Sequence, residues 1–364
     1  MVILTVAKLD NNKSSGLYTN IPIFVKTLNN YSQSACLDCG NTNPESLKEY
    51  DNYFKLSDYS DFSIKNLPQP FNKPDLVVFQ SLYIIDFIKI AKELKSMKIP
   101  YTIIPRCSMT KAAQKKSGLK KIIGNTLWFN RFIEDALFIH FLTKNECLES
   151  EKNFKIKNKV IVGNGFKTPE ITYKTHQRDC FKVLYIGRYN VYHKGLDILL
   201  KAIAYKKEFF IQNKFKFILW GKDSDNGIQK MQSLICKYKI EDLVEINGEI
   251  YGKDKEKELL DSDVFIHTSR LEGHPTSVIE AISYGIPVLV TPGTNMLDDV
   301  KNNKLGFFCN LDKREIADTI INAYENKNEF QNISNREIDF AKENYNWDNI
   351  IRKNIETYKE KLKG

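Results

Sequence analysis

The sequence predicts an α/β protein made of two doubly wound, Rossmann-like parallel-sheet domains. Three observations predict it. The chain has 364 residues, and a typical domain takes roughly 100–200. Short apolar, strand-like runs alternate with stretches whose apolar residues recur at helical spacing, the pattern of strand–helix–strand units. The second half then repeats the grammar of the first, so each half reads as a sheet of its own.

In the first half the strands are "VILTVA" at 2–7, "LVVFQ" at 76–80, "YTIIP" at 101–105 and "LFIHFLT" at 137–143. Between the second and third lies "YIIDFIKIAKELKSMK", a helix by its apolar spacing. A long helical stretch is expected over 119–136. In the second half "KVLYIG" at 182–187, "FKFILWG" at 215–221, "LVEING" at 243–248 and "DVFIHTS" at 263–269 read as strands. "GLDILLKAIAYKK" reads as a helix, as does "TSVIEAISYG", which ends on Gly285, a residue suited to the left-handed position after a helix. Pro287 opens the strand "PVLVT". The domain boundary falls in "VGNGFKTPEITYKTHQRD", where Gly, Pro and polar residues cluster. The expected domains are 1–168 and 169–344, with a C-terminal helix at about 345–364 packing back on the first. Two such sheets facing across a cleft suit a nucleotide-bearing ligand, because ligands bind beyond the carboxyl ends of the strands.

Composition narrows the class. No apolar run reaches the ~18 residues that span a bilayer. The opening "MVILTVAKLD" has no basic leader and no small-residue cleavage site, so it reads as a buried strand, with a cytoplasmic location as the default. The seven cysteines are scattered, which argues against a disulfide framework. The pair in "CLDC", Cys36 and Cys39, has metal-type spacing, but no second pair or nearby histidine completes a zinc site. The net charge of +9 favours anionic partners: nucleic acid, acidic lipid or phosphorylated substrates. Charge alone does not choose among them, and no nucleic-acid-binding motif is present.

The chemistry concentrates in "RLEGHPTSVIEAISYGIPVLVT" at 270–291. Gly273 lets the backbone approach a ligand closely, and Pro275 suits a helix start. The unpaired N–H groups of Thr276, Ser277 and Val278 would offer an anion site for a diphosphate. Glu280 lies about one turn further in, and its two oxygens match a vicinal diol such as ribose. Glu272, on the turn, can reach the group beyond the phosphates. The same spacing also fits a solvated Glu272 and a surface Glu280. A second loop, "YIGRYNVYHKG", carries Arg188 and Lys194 between a strand and a helix, and two cations there suit a diphosphate. His193 has no orienting carboxylate beside it and reads as a loop residue.

Together, "GRYNVYHKGLDILLKAI", "HTSRLEGHPTSVIEAISYGIPVLVT" and "NYNWDNI" resemble glycosyltransferase family 4, closely over most of the second half. The resemblance implies a GT-B fold and a retaining glycosyltransferase that uses a nucleotide-sugar donor. It implies that Arg188 and Lys194 hold the donor diphosphate, Glu272 contacts the donor sugar and Glu280 binds the ribose. The donor-binding set then comprises Gly16, Arg188, Lys194, Glu272, Gly273, His274, Pro275, Thr276, Ser277 and Glu280. The first half matches more loosely. Gln80 stands after the strand where such enzymes often have His. In "IIPRCSMTKAAQKKSGLKK", which resembles a segment of polysaccharide-assembly members, Arg106 stands at a His/Arg position and Cys107 replaces Gly. Arg106 would stabilise the departing phosphate. "NKSSGLYTNIP" resembles the glycine loop after the first strand, with Gly16 as its one glycine, and "VGNGF" the segment at the domain crossover.

The implied catalytic group is Glu272, Arg188, Lys194 and Arg106, acting without a bound metal or other cofactor. The first domain offers no carboxylate nucleophile on a matching motif, so front-face attack, with the leaving diphosphate as base, is expected rather than double displacement. Expected partners are a nucleotide-sugar donor and a glycan or lipid-linked glycan acceptor in bacterial cell-surface polysaccharide synthesis (capsule, exopolysaccharide or O-antigen), with no nucleic acid. Alternatives are a GT-B epimerase or a non-catalytic nucleotide-sugar-binding protein. A dehydrogenase is excluded by the lack of a Gly-x-Gly-x-x-Gly turn in either half. Finally, Lys111, Lys115, Lys116, Lys120 and Lys121 interleave with Leu119, Ile122, Ile123 and Leu127. Such a helix can lie on an anionic membrane, as a peripheral attachment to the inner face, and also fits an ordinary helix with a solvated basic face.

Overall fold

The structure is a computed structural model that describes residues 1–9, 16–41, 44–115, 118–175 and 179–363. The chain forms two compact units: Met1–Asn164 with Trp347–Gly364, and Gly165–Asn346.

The first unit holds β1 (Val2–Ala7), β2 (Gln33–Asp38), β3 (Tyr53–Lys55), β4 (Leu76–Phe79), β5 (Tyr101–Ile103), β6 (Phe138–Phe141) and β7 (Lys159–Ile161). All pairings are parallel, in the order β3-β2-β1-β4-β5-β6-β7. The central strands are apolar on both faces because both are covered. In β4, Val77 and Phe79 join one buried layer with Phe87 and Leu94, whereas Leu76 and Val78 join the other with Ile21 and Val25. Helix Trp347–Lys363 completes this second layer through Trp347, Ile351, Ile355 and Tyr358. It is pinned at both ends: the Tyr358 hydroxyl lies 2.7 Å from His140 Nδ1, and Tyr31 donates to Asp348 at 2.7 Å.

The second unit holds β8 (Phe181–Ile186), β9 (Phe215–Trp220), β10 (Val244–Asn247), β11 (Val264–His267), β12 (Val288–Val290) and β13 (Gly306–Phe308), again all parallel, in the order β10-β9-β8-β11-β12-β13. Both units are therefore the doubly wound sheets that the sequence predicts. In each, the strand order reverses once, between β1 and β4 and between β8 and β11. That switch point opens a crevice beyond the strand ends where a ligand can enter.

Four strands escape the sequence reading. β2, "QSACLD", lacks the apolar continuity of a buried strand, and β3, β7 and β13 are three residues each. The "CLDC" pair falls in and just after β2. Burial above all, with Asp38 nearby, pushes the Cys36 thiol well up. Buried Asp38 turns the chain by accepting from the N–H groups of Leu9 and Gly40 at 2.9 and 2.7 Å. The stretch expected as one helix over 119–136 is helix Gly118–Gly124, a π turn at Asn125–Phe129 and helix Asn130–Glu134. Asn125 is held there by Tyr83 and Gln114, at 3.0 and 3.1 Å, and a π turn absorbs the resulting change of register. Helix Phe330–Asn344 ends before the last helix begins at Trp347.

Candidate functional site

The loops after β8 and β11 flank the switch point of the second sheet and are joined to one another. The N–H of Arg270 donates to the carbonyl of His193 at 2.8 Å, and the Thr268 hydroxyl to that of Lys194 at 3.2 Å. The Arg270 guanidinium forks onto Asp197 at 2.6 and 2.9 Å and covers the ring of Tyr192 at 4.3 Å. Such a two-bond fork fixes geometry as well as charge. Gly195 makes the approach possible. Its φ is +65°, and a Cβ there would meet the Thr268 carbonyl oxygen at 2.0 Å.

Two predicted residues meet on this frame. The Lys194 ammonium contacts the Glu272 carboxylate. The Ser269 hydroxyl donates to the same Glu272 oxygen at 2.9 Å, and His267 Nε2 lies 3.5 Å from it. Burial works against charge on Glu272, yet Lys194, His267 and Ser269 together hold its carboxyl below the usual carboxylate range. Burial, and then the Lys194 charge, push the His267 imidazole down to about 3, so it is neutral near pH 7. The result is an ionised carboxylate beside a lysine cation, with a neutral imidazole beneath.

Arg188 is exposed on the same loop as Lys194 and makes no ion pair among the described residues; its carbonyl accepts from the Tyr185 hydroxyl at 3.2 Å. Helix Thr276–Tyr284 starts after Pro275, with Thr276 and Ser277 half-buried. Not all of its first N–H groups are unpaired as expected. Val278 and Ile279 both donate to the Pro275 carbonyl, at 3.0 and 3.2 Å, because the first turn tightens onto its own cap. The Gly273 carbonyl accepts from Asn295 at 3.2 Å. His274 turns inward, its ring edge-on to Tyr345 at 5.7 Å, and burial pushes it down to about 4. Glu280 is 8% exposed, with its carboxylate on Lys255 of helix Gly252–Leu260.

The remaining predicted residues belong to the first unit. Gly16 is the first residue of helix Gly16–Asn29, and residues 10–15 of its loop lie outside the described residues. Arg106 follows β5 and donates from Nε and Nη2 to Gln80 Oε1, at 3.2 and 2.7 Å.

Sequence reasoning did not single out Lys255, His267, Ser269 or Arg270. The spacing of Ser269 three residues before Glu272 was a usable signal. Lys255 sits in the charged run "KDKEKE", where nothing in the pattern marks one lysine among three.

Residues 169–340 match the family model of glycosyl transferases, group 1. That segment contains every predicted donor-site residue except Gly16. Among curated proteins, the chain is 27% identical over 169 residues to the putative colanic acid biosynthesis glycosyltransferase WcaL of Escherichia coli (strain K12), covering 40% of this chain and 41% of that protein. It is 27% identical over 125 residues to Protein CapJ of Staphylococcus aureus, covering 34% of this chain and 31% of that protein. The matched region thus spans less than half the length of these relatives. Among solved structures, Anabaena Alr3699/HepE in complex with UDP and glucose superposes with a TM-score of 0.77 at 16% identity, over 99% of this chain and 100% of that one. The lipopolysaccharide outer core galactosyltransferase WaaB, apo form, gives 0.72 at 15% identity, over 99% and 100%. The fold is the GT-B fold these glycosyltransferases share.

Proposed function

We propose that the protein is a retaining glycosyltransferase of family 4 type that moves a sugar from a nucleotide-sugar donor to a glycan or lipid-linked glycan in bacterial surface-polysaccharide assembly. The observation that carries this reading is the joined pair of loops at the second switch point, where Lys194 and Glu272 meet and the Lys194 loop also carries exposed Arg188. It is supported by the glycosyl transferase model over the same residues, by the colanic acid assignment of WcaL, and by the UDP and glucose bound to HepE.

In this reading Arg188 and Lys194 compensate the donor diphosphate, as a forked and a point cation respectively. Moving Lys194 onto a phosphate leaves the ionised Glu272 carboxylate to accept hydrogen bonds from sugar hydroxyls. Glu280 accepts from the ribose diol once Lys255 yields one of its oxygens. The acceptor hydroxyl oxygen attacks the anomeric carbon on the face that the diphosphate leaves. The C–O bond to the diphosphate breaks, the hydroxyl proton passes to a diphosphate oxygen, and a nucleoside diphosphate departs. The two cations stabilise the charge that grows on that leaving group.

The segment 111–131 would hold the protein on an anionic membrane. Ile122, Ile123, Leu127 and Trp128 are 63, 57, 58 and 41% exposed, and Lys111, Lys115, Lys120 and Arg131 are exposed around them. Lys121 differs: it bonds the Ala113 carbonyl and lies 5.0 Å from the ring centre of Tyr83. Lys116 is outside the described residues. No helix among the described residues is long and apolar enough to cross a membrane.

Incubation with a panel of nucleotide sugars and a membrane extract tests the assignment. Nucleoside diphosphate release with sugar appearing on a glycan is expected. A donor converted to its epimer, or bound and returned unchanged, would overturn it in favour of an epimerase or a sensor.

A further inference from the structure

The switch point of the first sheet lies between β1 and β4, and Gln80 and Arg106 stand just beyond the carboxyl ends of β4 and the adjacent β5. Arg106 has an unusual set of neighbours. Both its hydrogen bonds go to one neutral oxygen, Gln80 Oε1, and it makes no ion pair among the described residues. The carboxylate that acts on it electrostatically, Glu146, is fully buried and already engaged, one oxygen by the N–H of Cys107 and the other by that of Leu142 at 3.0 Å. Burial lowers the guanidinium to about 10, with Glu146 only partly opposing it. The Gln80 side chain is 1% exposed, and its Nε2 has no hydrogen-bond partner among the described residues. Being on the same amide as the oxygen that Arg106 bonds, Nε2 sits at the edge of the guanidinium.

Buried donors are almost always paired, and a half-buried cation beside one favours an anion. The backbone adds an independent sign. Arg106 and Cys107 are consecutive non-glycine residues at φ +49° and +64°. That conformation is unfavourable for L-residues and collects at functional positions. Glu146 holds the turn by accepting the Cys107 N–H, so a buried carboxylate aims Arg106 without an ion pair to it among the described residues.

We propose that Gln80 and Arg106 form an oxyanion seat on the first unit, taking a carboxylate or a phosphoryl group. One ligand oxygen accepts from the guanidinium and another from Gln80 Nε2, so a planar or tetrahedral oxyanion satisfies both donors, whereas a lone sugar hydroxyl leaves the charge unbalanced. Under the glycosyl-transfer reading this seat selects an acidic group on the substrate side of the first unit. The seat itself does not depend on that reading.

The test titrates the full chain with sodium glucuronate and, separately, with methyl phosphate at constant ionic strength, following heat of binding and melting temperature. Saturable binding to glucuronate identifies a carboxylate source, and to methyl phosphate a phosphoryl source. That binding should persist in Arg188→Ala, which removes a cation from the second unit. It should weaken roughly tenfold or more in Arg106→Gln. Gln80→Glu supplies the carboxylate internally, so this variant should melt higher than the parent and lose the anion response. Binding of neither anion, or binding equally strong in Arg106→Gln and Gln80→Glu, would overturn the seat. Donor turnover is read separately, so failure of the seat and failure of the transferase reading are distinguishable.

Discussion

At the scale of single residues, the two cations of the β8 loop differ in what they hold. Arg188 is exposed and has no ion pair among the described residues, whereas Lys194 and Glu272 are 14 and 16% exposed in their side chains and paired. Arg188→Ala should therefore change folding stability by less than about 0.5 kcal/mol, while donor binding falls. Lys194→Ala should lose binding and also about 1–3 kcal/mol of stability, because it strands a half-desolvated carboxylate. Urea unfolding of the two variants beside the parent checks both. His267 supplies a pH marker. Its ring is held down to about 3, against an ordinary 6.5, so between those values the unfolded chain binds the proton that the folded chain refuses. Its stabilising contribution is present above pH 6.5 and is lost as pH falls toward 3. Glu272, with its carboxyl held low, loses its contribution in the same direction below the usual carboxylate range. NMR of the His267 ring should show the neutral form throughout about pH 8 to about pH 5; a midpoint near 6.5 would mean that the ring is solvated.

At the scale of elements, the loop frame depends on close backbone approach. Gly195→Ala puts a Cβ against the Thr268 carbonyl at a positive φ, so the β8 and β11 loops must separate. A stability loss of more than about 1 kcal/mol is expected, with donor binding reduced further. The basic segment carries the other element-level prediction. Leu127→Asp and Ile123→Asp change exposed residues and should leave melting nearly unchanged while reducing co-sedimentation with anionic liposomes. Equal, weak binding of parent and variants to anionic and neutral liposomes would remove the membrane role. How far elements could be read from sequence follows from burial. β1, β4, β8 and β11 are covered on both faces and announce themselves as apolar runs. β2 carries Gln33, Ser34 and Asp38, and its pairing is set by neighbours rather than by its own composition. The interruption at Asn125–Phe129 depends on Gln114 and on Tyr83, which is distant in sequence from that turn, so local periodicity could not foresee it.

At the scale of the whole molecule, the repeat of strand–helix grammar in the two halves was legible because each unit closes its own core. The loops carrying the candidate donor residues were legible because they follow apolar strands, while spacing alone left Glu272 and Glu280 open and the family resemblance assigned their roles. Their partners were not, because Lys255 reaches Glu280, and Gln80 reaches Arg106, through tertiary contacts that leave no local pattern. The account rests on the second unit gripping a nucleotide diphosphate between the β8 loop and the start of helix Thr276–Tyr284. Calorimetric titration of the full chain with UDP-glucose, GDP-mannose and ADP-glucose, in the parent and in Arg188→Ala, tests this most directly. The account predicts that at least one donor binds the parent, and that Arg188→Ala binds it roughly tenfold or more weakly at unchanged melting temperature. Equal affinity in the two proteins, or no binding of any nucleotide sugar, would contradict it.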